Sequence, residues 1–158
     1  MTILNERIET RLPVEAAFAY IADFVNAREW DPGVASAERI GEGEVGVGST
    51  YRLGVRLGGR VAPMDYRISV FDPPGRVVLI GSGSGVSAID DIRFAPAGTG
   101  TRIDYRADIR LGGWLRLIQP LLRGAFTKLA RNATEGMRRT LDERAALDGA
   151  DGDGGARP

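Results

Sequence analysis

The chain has no cysteine and no histidine, and Lys128 is the single lysine among its 21 basic residues. Each absence removes a class of chemistry. Without cysteine there is no disulfide, thiolate nucleophile or thiolate metal ligand. Without histidine there is no imidazole base, no histidine-centred triad and no Cys/His metal site. An all-oxygen cation site stays formally open, but no Asp/Asn-rich loop of EF-hand spacing occurs. Any chemistry falls to Asp, Glu, Tyr, Arg, Ser, Thr, the lone lysine or bound water, and no cofactor is called for. Long hydrophobic runs are missing too, none approaching the roughly 18 apolar residues of a membrane span. The first ten residues, MTILNERIET, carry Glu6, Arg7 and Glu9 and read as neither signal peptide nor anchor. The expected location is cytoplasmic, without stable membrane insertion. Twenty-one acidic residues balance the 21 basic ones, so no global field draws in nucleic acid or anionic membrane.

What is present is ordinary for one globular domain: 158 residues, 43% hydrophobic and 27% charged,. The domain is expected over residues 1–147. From Asp148 the tail DGADGDGGARP offers no large apolar anchor, and residues 148–158 are expected to be disordered.

The chain is organised around Leu115 to Leu147. Apolar residues recur at Leu115, Ile118, Leu122, Phe126, Leu129, Ala133, Met137 and Leu141, the period of one helix face. Arg123, Lys128, Arg131, Arg138 and Glu143 are left for solvent. Pro120 cannot donate to the preceding turn, which predicts a kink or separate leading turn at 115–119. Asp148-Gly149 is the expected stop. The earlier chain reads as strands. Ile3–Leu12 alternates charged with apolar residues. Helix is expected over 13–23, with Pro13 at its start, and a short helical turn over 24–30 ends at Trp30-Asp31-Pro32-Gly33. From Val34, turn signals every 10 to 15 residues cut the chain into six extended pieces. Tyr51, Leu53, Val55 and Leu57 oppose Arg52 and Arg56. Met64, Tyr66, Ile68 and Val70 oppose Asp65 and Arg67. Ile103, Tyr105, Ala107 and Ile109 oppose a run of Arg and Asp. Such alternation suits an antiparallel sheet wet on one face. Seven strands make a sheet that curls. One helix cannot fill its concavity, so a cavity between helix and sheet is expected.

Several stretches resemble the START-like, Bet v 1-like and polyketide cyclase/dehydrase proteins, the SRPBCC superfamily. They are Leu12-Pro13-Val14-Glu15 with Phe18 and Asp23, then Trp30-Asp31-Pro32-Gly33-Val34, Gly48-Ser49-Thr50-Tyr51 and Asp72-Pro73-Pro74. Phe94-Ala95-Pro96, Gly100-Thr101-Arg102 and the Gly112-Gly113 approach to Leu121 follow in order, so the resemblance covers residues 3 to 147. It implies an α+β helix-grip fold. A seven-stranded curved antiparallel sheet would grip a long C-terminal helix, in the order β-α-α-β-β-β-β-β-β-α.

Asp90-Asp91 is the first candidate site. If Ile92 and Phe94 face the core, Asp90 shares that face with Ala88, and a carboxylate in an apolar cavity acts as acid, base or ligand anchor. Pairing with an arginine is the bland alternative, and a shifted strand would turn Asp91 inward instead. Tyr51, Tyr66 and Tyr105 fall on the inner face of three strands, where a hydroxyl meets a ligand oxygen or a single backbone partner. The resemblance implies that Trp30 lies near the cavity wall or mouth, with an aromatic plug as the structural alternative. The candidate wall is completed by Met64 and Ile68 on the sheet and by Phe126, Leu129 and Ala133 on the helix. Phe126 and Leu129 are expected to be buried. Gly81-Ser82-Gly83-Ser84-Gly85 lacks a lysine and a following helix, so it reads as a hairpin and not a phosphate loop. Arg116, Arg123, Arg131, Arg138 and Arg139 could suggest nucleic acid or membrane binding, but Glu135, Asp142 and Glu143 interrupt them, and they read as a solvated helix face.

The expected function is binding of a small hydrophobic or amphipathic ligand, which the resemblance makes lipid- or polyketide-like. The alternative is a polyketide cyclase/aromatase- or dehydratase-type enzyme working without metal or histidine, with Asp90 as its catalytic group. A third reading makes the cavity vestigial, filled by side chains. An enzyme should converge at least two ionisable or hydroxyl groups in the cavity, whereas a carrier needs one polar anchor in an apolar wall. No metal is expected, and a homodimer is left open.

Overall fold

In the computed structural model, which describes residues 1–152, the alternating segments form one seven-stranded antiparallel sheet. Its strands are β1 (Thr2–Thr10), β2 (Val34–Ile40), β3 (Thr50–Leu57), β4 (Arg60–Asp72), β5 (Arg76–Gly83), β6 (Val86–Ala97) and β7 (Gly100–Leu111). Between β1 and β2 come α1 (Val14–Ala22), a 3-10 turn at Phe24–Asn26 and α2 (Ala27–Trp30). After β7, 3-10 turns at Gly113–Leu117 and Gln119–Leu122 lead into α3 (Arg123–Gly152). This is the helix-grip fold, in the expected element order. Among the described residues no helix is long and apolar enough to cross a membrane.

The strand order is β1-β7-β6-β5-β4-β3-β2. Hairpins join β2 through β7 in sequence, and β1 closes on β7, so α1 and α2 must carry the chain from one edge of the sheet to the other. Register sorts the faces. Arg52 lies opposite Asp65, and next to them Leu53 lies opposite Met64. Charged pairs such as Arg52–Asp65 at 2.8 Å and Arg76–Asp91 at 2.9 Å therefore sit on the convex, wet face. Exposed pairs of this kind contribute at most about 1 kcal/mol each. The concave face is apolar and supplies the core. Tyr51, Leu53, Ile68, Leu79, Ile92 and Ile103 are fully buried there. Irregular register in β2 near Val34–Ser36 and in β4 near Ile68–Val70 adds local bend to the sheet,.

Helix α3 crosses the concave face unevenly. At its middle, Met137 and Leu141 are fully buried. Gly136 lets the helix backbone meet α2, since a Cβ there would stand 2.0 Å from the Trp30 carbonyl oxygen. Toward the start of α3, Phe126 is buried but Leu129 is 39% exposed. The expectation that Leu129 is buried is thus corrected, because the helix has begun to stand off from the sheet at that level.

The expected separate leading turn is present before the helix, and only the far boundary departs from expectation. Pro120 stands in the second of the two 3-10 turns, and regular helix begins only at Arg123. At the other end, α3 passes through Asp148-Gly149 to Gly152. Glycine permits a left-handed stop but does not compel one, and no apolar residue follows to make the hydrophobic contact that usually fixes such a cap. Residues 148–152 are therefore helical and not disordered, and 153–158 lie outside the described residues.

Candidate functional site

Where α3 stands off from the sheet, a cavity of about 140 Å³ opens. Its floor is the concave face: Met64 and Tyr66 from β4, Ala88 and Asp90 from β6, Tyr105 and Ala107 from β7. Its roof is α3, through Phe126, Leu129, Ala130, Ala133 and Thr134. The two alanines explain the space. Residues at one-turn spacing on this face are small, so the helix backbone comes no closer than the larger neighbours Phe126 and Met137 allow. Asp31 and Gly33, from the turn between α2 and β2, close one end.

Period-two geometry fixes which aspartate turns inward. Asp90 is buried, at 5% exposure, and in register lies between Leu79 of β5 and Ala107 of β7. Asp91 points the other way and accepts hydrogen bonds from Arg76 at 3.0 and 2.9 Å. Burial pushes the Asp90 carboxyl up to about 7, the Tyr105 hydroxyl beside it draws it partly back, and the negative charges of Asp31 and Asp108 raise it further. Asp31 is pushed up to about 6, again chiefly by burial, although its Oδ1 accepts the Gly33 N–H at 2.7 Å and Arg56 lies near. Tyr66 and Tyr105 are held well above the ordinary phenol value by burial and then by Asp90. Two carboxyls and two phenols thus share one largely apolar space, in which the carboxylates disfavour charge on the phenols and Asp31 disfavours charge on Asp90. At neutral pH Asp90 is poised between its protonated and ionised forms, while both phenols stay protonated as donors.

The position of Tyr66 depends on a glycine. Gly81 lies opposite it on β5, and a Cβ there would come within 2.4 Å of the Tyr66 ring. The ring therefore lies over bare backbone, near enough for the Asp90 charge to act on its hydroxyl.

Of the residues expected from the sequence, Met64, Tyr66, Asp90, Tyr105, Phe126, Leu129 and Ala133 lie on the cavity wall. Trp30, Tyr51 and Ile68 do not; all three are buried core. Trp30 and Tyr51 pack around Phe24, with ring centroids 6.0 and 6.3 Å away, so this aromatic group plugs the end of the sheet where the helical insert docks. Burial pushes the Tyr51 hydroxyl up to about 12, within the core and away from the cavity. Ile68 lies next to the β4 irregularity. The same strand face thus serves as core at one end and cavity at the other, depending on how close α3 lies.

Asp31 is the residue that sequence reasoning missed. Locally it is a turn aspartate capping Gly33, and it reads as nothing more. Its place on the cavity wall depends on where α3 crosses, which no local pattern carries. Among the described residues no group of three or more acidic side chains is placed to hold a metal ion. A larger hollow of about 630 Å³ on the convex face lies among Arg7, Asp91, Arg93, Asp104 and Arg106. There Arg7 pairs with Asp104 and Arg93 with Asp91, and Arg106 turns to Asp108 outside the hollow.

Known structures share the fold. A START superfamily protein from Mycobacterium smegmatis aligns with a TM-score of 0.72 at 14% identity, over 93% of this chain and 99% of its own. Ara h 8.0201 aligns with a TM-score of 0.63 at 16% identity, over 92% and 97%. The di-domain ARO/CYC StfQ from the steffimycin biosynthetic pathway aligns at 0.69 and 14%, over 92% of this chain and 52% of its own. At such identities the likeness is one of fold. No curated protein sequence matches the chain significantly. The sequence profile of one family, however, matches residues 1–142. The chain belongs to the polyketide cyclase / dehydrase and lipid transport family.

Proposed function

We propose that the protein binds a small hydrophobic or amphipathic molecule in the cavity between the sheet and α3, with Asp90 and Tyr105 as its polar anchor. The observation that carries this reading is a buried carboxyl and phenol set in a largely apolar wall. The size narrows the occupant. A cavity of about 140 Å³ is close to the roughly 150 Å³ that admits a benzene-sized molecule, and well below the roughly 300–1,000 Å³ of sites for larger ligands. A single ring or short chain fits; a whole lipid requires α3 to move away from the sheet.

A second reading, catalysis of the cyclase or dehydratase kind, is favoured by the convergence of four groups where a simple carrier needs one. A carboxyl titrating near 7 can remove a proton from carbon beside a carbonyl, and a protonated phenol can donate to the oxygen on which charge then develops. Asp90 would be the base, Tyr66 the donor, and Tyr105 the group that holds Asp90 in place. The steps need no metal.

A ring-sized fluorescent probe should bind the wild type, and Ala133→Trp should abolish binding while leaving the fold intact. Failure of the probe to bind, or indifference to Ala133→Trp, removes the cavity reading altogether. Asp90→Asn separates the two functions. Retained binding with lost turnover of a polyketide-like carbonyl substrate supports the enzyme; weakened binding without turnover by either protein supports the carrier.

A further inference from the structure

The segment between β7 and α3 is inverted relative to an ordinary surface turn. Its one fully buried side chain is polar, while three of its large apolar side chains face outward. Gln119 is buried and pinned to the sheet, its Nε2 donating to the Ile109 carbonyl at 2.8 Å and to Thr2 Oγ1 at 3.0 Å. Its Oε1 accepts the Leu111 N–H at 3.3 Å. Around that anchor Trp114 is 71% exposed, Leu117 81% and Leu121 82%. Steps of three and four through consecutive helical turns put these three side chains on one side of the segment. Scattered exposed leucines are unremarkable, but a grouped set held outward by a buried glutamine marks a surface meant to be covered.

Charge identifies the cover. From Ile109 to Thr134 the chain carries Arg110, Arg116, Arg123, Lys128 and Arg131 and not one acidic residue, in a protein whose acids and bases balance overall. All five are exposed. Among the described residues none of them forms an ion pair, whereas Arg52, Arg76, Arg106 and Arg138 all do. A second copy of the chain meeting this surface about a two-fold axis would bring two unpaired basic clusters together. Nucleic acid would satisfy the arginines but leave Leu117 and Leu121 against phosphate. An anionic bilayer satisfies both, since its headgroups take the arginines and its acyl boundary takes the leucines, with tryptophan favoured at the level between.

We propose that Gly113–Leu122, with Arg110, Arg116 and Arg123 around it, docks the protein reversibly on an anionic lipid surface into which Trp114, Leu117 and Leu121 insert. The contact is peripheral, since three side chains anchor and nothing spans. Leu115 and Leu122 of the same segment pack against the buried cluster of Leu4, Ala107, Leu111 and Phe126, of which Leu4, Ala107 and Phe126 also line the cavity. Docking therefore brings one end of the cavity to the membrane surface, where an amphipathic molecule would partition. The surface itself stands on its own observations, whatever the cavity holds.

The chain supplies its own probe. Of its two tryptophans, Trp30 is 2% exposed and Trp114 71%, so a blue shift of emission on adding vesicles reports Trp114 entering the interface. The purified full chain is mixed with vesicles of phosphatidylcholine alone or containing phosphatidylglycerol, and co-sedimentation is read beside the emission. Binding with a blue shift is expected on the anionic vesicles alone, weakened several-fold when salt is raised to about 0.5 M. Leu117→Ser with Leu121→Ser should reduce binding at least about tenfold, and Arg116→Glu with Arg123→Glu should do the same. Because these positions are exposed, thermal unfolding of each variant is expected to match the parent, and Ile80→Ser on the convex face should bind as the parent does. No binding to anionic vesicles, equal binding to neutral ones, or binding indifferent to the Leu117/Leu121 variant overturns the proposal. So does a dimer in sedimentation analysis that the same variant dissolves, which would assign the surface to a second copy.

Discussion

Replacing Asp90 with asparagine isolates the electrostatic cost of the cavity. The folded protein raises the pKa of this carboxyl from 3.8 to about 7, mainly through burial. At about 1.4 kcal/mol per pH unit, the ionised folded form carries a penalty of about 4 kcal/mol. Between pH ~4 and ~7 the folded state keeps a proton that the unfolded chain has already released. The folded state therefore binds more protons, and stability falls as pH rises through this window, the loss being complete above about 7. Asparagine keeps the shape and an acceptor for Tyr105 but cannot ionise. The variant should match the parent within about 1 kcal/mol near pH 4 and exceed it by about 2–4 kcal/mol at pH 8, the lower figure allowing for solvent in the cavity. For a chain of this length that corresponds to a Tm gain of roughly 10 °C at pH 8. Urea unfolding at pH 4, 6 and 8, extrapolated to water, measures it. Asp31, raised to about 6, contributes a loss of the same sign to both proteins. Asp65, held low by its hydrogen bond to Arg52, contributes the opposite trend at acid pH to both. Only the difference between the two proteins is therefore read. An advantage that does not grow from pH 4 to pH 8, or an asparagine variant weaker than the parent at pH 8, would refute a desolvated Asp90.

Two stability predictions test the packing of α3. Gly136→Ala should destabilise by about 1–3 kcal/mol, because the added Cβ would meet the Trp30 carbonyl oxygen at 2.0 Å and overpacking outweighs the helix-propensity gain of about 1 kcal/mol. A rise in Tm on that substitution would show that α2 and α3 are not in contact. Phe126→Ala should cost about 2–3 kcal/mol in urea unfolding, below the roughly 3–5 usual for a packed phenylalanine, since one side of the ring already borders the cavity; a loss of 5 or more would mean that the cavity is filled.

Much of the architecture was legible before the fold was in view. Period-two alternation in β3 and β7, and in β4 as far as Ile68, assigned the inner faces correctly, because a strand has only two faces. Past the irregularity at Ile68–Val70 the parity shifts, and Phe71, not the expected Val70, packs on the core. The same rule offered Asp90 on the side of Ala88 and Ile92 but left a shifted strand with Asp91 inward open, and the register of β6 between β5 and β7 decided for Asp90. The i, i+3, i+4 stripe of α3 identified Met137 and Leu141 as core and Phe126 as facing the sheet. Proline and glycine marked nearly every turn, since their backbone limits are local. The end of α3 was misjudged for a related reason: Gly149 allows a stop, but whether a helix stops depends on contacts beyond it.

Sequence by itself thus determined the periodicities, the absence of histidine and cysteine chemistry, and the element order. Tertiary structure decided the site. Along one strand face Ile68 is core and Tyr66 is cavity wall, and nothing in their alternation distinguishes them. The difference is the height of α3 above the sheet, set by Gly136 against Trp30 at one level and by Ala130 and Ala133 at another. Asp31 joined the cavity for the same reason, since its turn chemistry is local but its neighbours Asp90, Tyr66 and Tyr105 are distant in sequence. The outward face of Trp114, Leu117 and Leu121 was likewise hidden. A helical stripe shows which residues share a side, but only the buried Gln119 reveals which side the sheet has taken.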